Sequence, residues 1–105
     1  KGSLQYKVEE FTDEAVVKIS GWALNRKTLR AGTLNIVLTG QDKQQYIVKS
    51  ERLYRPDVRD AFGKRRLAFA GFEAAFIKQN LPKQHYVVSL VLDGDARMVG
   101  SIVVA

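Results

Sequence analysis

Cysteine is absent from this chain, so no disulfide holds it and no thiolate serves as nucleophile or metal ligand. A single histidine, His85, cannot build a His-rich zinc site, and no serine lies in a Gly-flanked elbow. Nucleophilic catalysis needs a nucleophile beside a base, and these absences leave little to assemble one from. The chain reads as non-catalytic, with no cofactor and no metal. No apolar run approaches the ~18–20 residues that a membrane-spanning helix needs. Lys1-Gly2-Ser3 lacks the apolar core of a signal peptide, which reads as a mature chain or as a piece excised from a larger protein.

What is present suits one domain over residues 1–105. At 46% hydrophobic, a chain of 105 residues has the material for one core, and a chain of this size buries roughly 60–70% of its unfolded surface. The apolar positions mostly alternate. Leu4, Tyr6 and Val8 form one row, and Val17 and Ile19 a second that continues past Gly21 to Trp22 and Leu24. Leu34, Ile36 and Leu38 form a third, Tyr46 and Val48 a fourth, and Tyr86 to Leu92 a fifth. A last row runs from Met98 to Val104. A period of two marks half-buried strands. Turn chemistry separates them at Thr12-Asp13-Glu14, at Gly40-Gln41-Asp42-Lys43 and at Asp93-Gly94-Asp95, the last a strong hairpin signal. Gly21 inside a strand predicts a bulge or a close backbone approach, with Trp22 swung into the core.

The middle departs from this pattern. Pro56 at a first helical position, Asp57 in the first turn and Gly63 just past the end predict a short helical turn over 56–62. The Phe72, Ala74 and Phe76 spacing then favours a strand, closed by a turn near 77–82. The sum is an all-β, immunoglobulin-like antiparallel sandwich of seven or eight strands, with a closed barrel as the alternative.

Charge is concentrated. The chain carries 17 Lys+Arg against 11 Asp+Glu, a net +6. Arg52 to Arg66 holds six basic and two acidic residues, +4, and Arg26, Lys27 and Arg30 add +3. The remainder of the chain therefore totals −1. This places a candidate binding patch at Arg26, Lys27, Arg30, Lys64, Arg65 and Arg66, with Tyr54 as a stacking partner. The two segments are expected side by side at one end of the sandwich. Arginine's planar fork suits phosphate and carboxylate groups. The competing reading for both segments is two solvated loops. His85 reads as a solvated strand-edge residue, Asp93 and Asp95 as turn formers, and Glu9, Glu10, Asp13 and Glu14 as a solvated acidic face.

Several local strings come in a familiar order: Ser20-Gly21-Trp22-Ala23, Tyr54-Arg55-Pro56-Asp57-Val58, Phe62-Gly63, Gly71-Phe72, then Leu81-Pro82 ahead of Tyr86. Over residues 20–92 the chain resembles the small β-sandwich accessory domains of bacterial cell-envelope glycosyltransferases and teichoic-acid-type glycerophosphotransferases. Ala70 stands where that pattern has serine. The resemblance implies a binding module beside a catalytic domain of the same chain, at the cytoplasmic face of the membrane or in the cell envelope. Its contacts would be glycan, anionic polymer, membrane surface or the neighbouring domain. The alternatives are a basic OB-like nucleic-acid-binding domain, which the lack of an RNP-like, zinc-finger or helix-turn-helix pattern disfavours, and a module for neutral sugar. Trp22, Arg55, Pro56, Asp57, Phe62, Gly63, Gly71 and Phe72 form the structural part of the signature. Arg55 and Asp57 are expected to cap the helical turn, with Phe62 and Phe72 plugging the sandwich edge.

Overall fold

Eight strands pair into two antiparallel four-stranded sheets in a computed structural model that describes residues 2–105. In chain order they are β1 (Leu4–Asp13), β2 (Val16–Asn25), β3 (Leu34–Gly40), β4 (Gln45–Lys49) and β5 (Glu51–Leu53). Then come the helix α1 (Pro56–Phe62), β6 (Gly71–Ile77), β7 (His85–Leu92) and β8 (Asp95–Val103). One sheet has the order β1-β2-β6-β5 and the other β4-β3-β7-β8. This is the immunoglobulin-like arrangement, in which the chain changes sheets between β2 and β3, between β4 and β5, and between β6 and β7. No ladder joins the two sheets among the described residues, so the sandwich holds and the closed barrel does not.

Strand parity builds the core. On β3 the burial alternates strictly, with Leu34, Ile36 and Leu38 inward and Asn35, Val37 and Thr39 outward. Val17, Ile19 and Ala23 from β2, Phe72 from β6, and Tyr86, Val88, Leu90 and Leu92 from β7 complete the interior. Fully burying side chains of this kind contributes about 1.5–3 kcal/mol each. Two turns match their sequence signals. Asp93 and Gly94 both take positive φ (50° and 85°), as a two-residue I′ hairpin turn requires. At the start of β7, the Tyr86 hydroxyl donates to the Pro82 carbonyl at 2.6 Å while its ring is 1% exposed. That tyrosine corner pins the crossing from one sheet to the other.

Three expectations change. Trp22 does not enter the sandwich. The register shift lies in β1, between Val8 and Glu10, so β2 keeps its parity through Gly21. Trp22 therefore shares the outer face with Lys18 and Ser20. Gly21 is needed for close approach, because a Cβ there would fall onto the Lys7 carbonyl. Phe62 likewise lies outside the main core, edge-on to Trp22 at 5.9 Å, whereas Phe72 is fully buried within it. Together with Leu24, Val58, Leu67 and Ala70 they form a second small core under α1. The third change is β5, which gave no alternating row in the sequence and pairs with β6 over only three residues.

Candidate functional site

The connection from β5 to β6 is folded on its own rules. Arg55 precedes Pro56, which starts α1, and Gly63 ends it in the left-handed region at φ 66°. A 3-10 turn over Arg65–Leu67 follows and drops Leu67, fully buried, onto Leu24 and Val58. Arg55 makes no side-chain cap to the helix. Its guanidinium instead binds both carboxylate oxygens of Asp57, at 2.9 and 2.8 Å, and both of Glu9 on β1, at 2.6 and 3.1 Å. These pairings hold Asp57 down to a pKa of about 2 and lower that of Glu9, with the Arg55 hydrogen bond the leading cause in each case. Glu9 is thus an anchor for the connection and not simply part of a solvated acidic face. Gly71 completes the seat, since a Cβ there would lie 2.6 Å from the Arg55 Cγ and 2.8 Å from the Leu53 carbonyl oxygen.

The β2–β3 loop is shaped by Asn25, a buried polar residue the sequence reading did not single out. Its Oδ1 accepts from the backbone N–H of Lys27 and Thr28, at 3.0 and 3.1 Å, and its Nδ2 donates to Asp93 at 3.0 Å. Its backbone pairs with Arg30 and closes the turn. An Asn whose side chain caps its own loop this way fixes the backbone without a ladder.

Arg66 then joins the two segments. Its Nε donates to the Leu29 carbonyl at 2.9 Å and its Nη2 to the Thr28 carbonyl at 3.0 Å. The loop bearing Arg26, Lys27 and Arg30 and the turn bearing Lys64, Arg65 and Arg66 are therefore neighbours. Arg26 is also engaged, donating from Nε to the Gly2 carbonyl at 3.0 Å. Lys27, Arg30, Lys64 and Arg65 are exposed, and their side chains make no hydrogen bond or ion pair among the described residues. A recess of about 420 Å³ opens between Arg59, Asp60, Gly63, Lys64 and Arg65.

Tyr54 stands beside this group, 55% exposed, with its ring 5.5 Å from that of Phe69, itself 56% exposed. Arg59 links the aromatic pair to the recess. Its guanidinium lies 5.8 Å over the Tyr54 ring and donates to the Tyr54 hydroxyl at 3.1 Å and to Asp60 at 2.9 Å. Phe69 was not among the residues singled out from the sequence; it lies two residues ahead of β6, which begins at Gly71.

Arg52 behaves differently from the other basic residues of its segment. Its Nη1 donates to the carbonyls of Ala23 and Ala70, at 3.1 and 2.9 Å, and its Nη2 to those of Ala31 and Gly32. Desolvation lowers its pKa to about 10, which leaves it charged at neutral pH. It fastens β5 to β2 and to the β2–β3 loop, and so supports the site from behind. His85 is exposed at the head of β7, Asp93 accepts from Asn25 and Thr33, and Asp95 accepts from Leu4. Among the described residues no group of His, Asp and Glu has the spacing to hold a metal ion, and no helix is long and apolar enough to cross a membrane. No family model, curated protein or solved structure matches the chain.

Proposed function

We propose that this sandwich is a non-catalytic binding module that takes an anionic polymer, a phosphate-bearing glycan of the cell-envelope type, for a bacterial glycosyltransferase or envelope-polymer-synthesising protein. The observation that carries the reading is the Arg66 bridge to Thr28 and Leu29, which gathers Arg26, Lys27, Arg30, Lys64 and Arg65 beside one another. Unpaired cations held on rigid turns suit repeated phosphates, which reward charge and fixed spacing. The Tyr54–Phe69 pair next to them offers a flat apolar face for a sugar ring. Partner and location follow from the same reading: a catalytic domain of the same protein, at the cytoplasmic face of the membrane or in the envelope.

The exposed aromatic pair also favours a second reading, a module for neutral glycan, and salt separates the two. Titration with poly(glycerol phosphate), a neutral oligosaccharide and a single-stranded oligonucleotide, each over a range of salt, is the test. Binding through phosphates weakens linearly in log–log form as salt rises, and Arg30→Glu with Arg65→Glu should abolish most of it. Salt-independent binding of the neutral sugar, lost in Tyr54→Ala, would support the second reading instead. Oligonucleotide binding stronger than that of the glycerol polymer would move the domain to the nucleic-acid class.

A further inference from the structure

The outer face of the β4-β3-β7-β8 sheet is nearly free of charge, in a chain where 27% of residues are charged. Register fixes which side chains lie there. One row crosses all four strands as Ile47, Val37, Ser89 and Met98, because Ile47 pairs with Val37, Val37 with Ser89 and Ser89 with Met98. Val87 and Val103 continue the apolar surface toward one end. By the same parity Lys49 is, among the described residues, the only Lys, Arg, Asp or Glu at an outer position of these four strands, and Lys43 of the β3–β4 turn lines a recess with Thr39, Val87 and Ser101 at one end. Ile47 and Met98 are each 68% exposed, Val103 45% and Val87 39%. The other sheet is the opposite case. Its outer face carries Lys7, Glu10, Lys18 and Glu73, and its far end lies under α1.

We infer that two copies of this chain associate through the outer faces of β3, β4, β7 and β8. Charge favours a second copy at this face over any other. Two copies of net charge +6 repel, and they do so least where the outer strand positions carry Lys49 as their one charge. The surface complements itself, since a single two-fold contact sets the same apolar row against its own copy and closes at a dimer. Area is adequate. Four strands at ~4.8 Å spacing and about eight residues at ~3.4 Å each cover ~500 Å² per copy, or ~1,000 Å² for the pair, the lower bound for a specific interface. Because α1 and its basic neighbours pack on the other sheet, the pair carries them on its two far sides. The inference stands whether or not those residues bind an anion.

Sedimentation velocity of the chain from micromolar up to about 1 mM, the weak end of specific association, tests it. The expected result is a reversible monomer–dimer equilibrium that Ile47→Lys and Met98→Lys each weaken about tenfold or more, because the two-fold brings the added cation in twice. Melting curves should be unchanged in both variants, since the side chains replaced are mostly in solvent. Lys18→Arg, on the outer face of the other sheet and of unchanged charge, should leave the equilibrium alone. Concentration-dependent amide shifts of the wild type supply a check that needs no variant, and should cluster at Val37, Val87, Ser89 and Met98. A chain that stays monomeric throughout overturns the inference. So does a dimer that both lysine variants leave intact, or shifts that cluster on α1.

Discussion

The Arg55 guanidinium meets the Glu9 carboxylate at 2.6 Å, a contact spanning 46 residues of sequence that ties the β5–β6 connection to the first strand. The same arginine holds Asp57, so one side chain binds two carboxylates and lowers the pKa of both. A carboxylate whose pKa is depressed by folding stabilises the fold above its unfolded value and loses that contribution as pH falls toward its folded value. The window here runs from the ordinary glutamate value of 4.5 down to about 2. Melting temperatures across that range should fall more steeply for the wild type than for Arg55→Gln. Parallel curves would show that the pairings contribute nothing to acid stability.

Arg52 gives a larger effect at neutral pH. Its replacement by Met keeps the stem but removes the guanidinium's bonds to the carbonyls of Ala23, Ala31 and Gly32, and one of the two that the Ala70 carbonyl accepts, the Ala23 N–H supplying the other. The expected loss is ~2–3 kcal/mol, the scale of hydrogen bonds from a charged donor to partly buried acceptors. Chemical denaturation of Arg52→Met reads it directly. A loss of a few tenths would mean that water takes over those carbonyls.

Gly71→Ala tests the seat of Arg55. The position has no unusual backbone angle, so any cost is steric, from the Arg55 stem and the Leu53 carbonyl. Overpacking of this kind costs about 1–3 kcal/mol. The damage should be local, with faster amide exchange in β5 and α1 and little change in β7. A uniform change over both sheets would show that Gly71 serves the whole core.

Where side-chain period alone decides, the sequence was readable. β3 alternates without exception, Asp93-Gly94 makes the turn its φ values demand, and Pro56 and Gly63 bound α1. Trp22 stays out of the core because the bulge expected at Gly21 lies in β1 instead, which leaves the parity of β2 unbroken. It shares an outer row with Lys18 and Ser20, and only the α1 connection makes that row partly dry. Arg52 counts as one charge among many until β5 is paired with β6, where it falls opposite Phe72 and turns inward. Asn25 and Glu9 were opaque for the same reason: their partners, Asp93 and Arg55, are 68 and 46 residues away. The two basic segments, expected side by side, are neighbours through the Arg66 bonds to Thr28 and Leu29.

The Arg66 bridge has an entropic side. A guanidinium has five N–H donors, and the carbonyls of Leu29 and Thr28 take two of them, one on Nε and one on Nη2. Three stay open to solvent. A long cation of this kind ordinarily surrenders up to ~2 kcal/mol of rotamer freedom when a ligand immobilises it. Arg66 has surrendered that freedom during folding, so in the binding proposed above its open donors would meet a ligand already oriented, while Lys64 and Arg65 beside it would still have to be ordered.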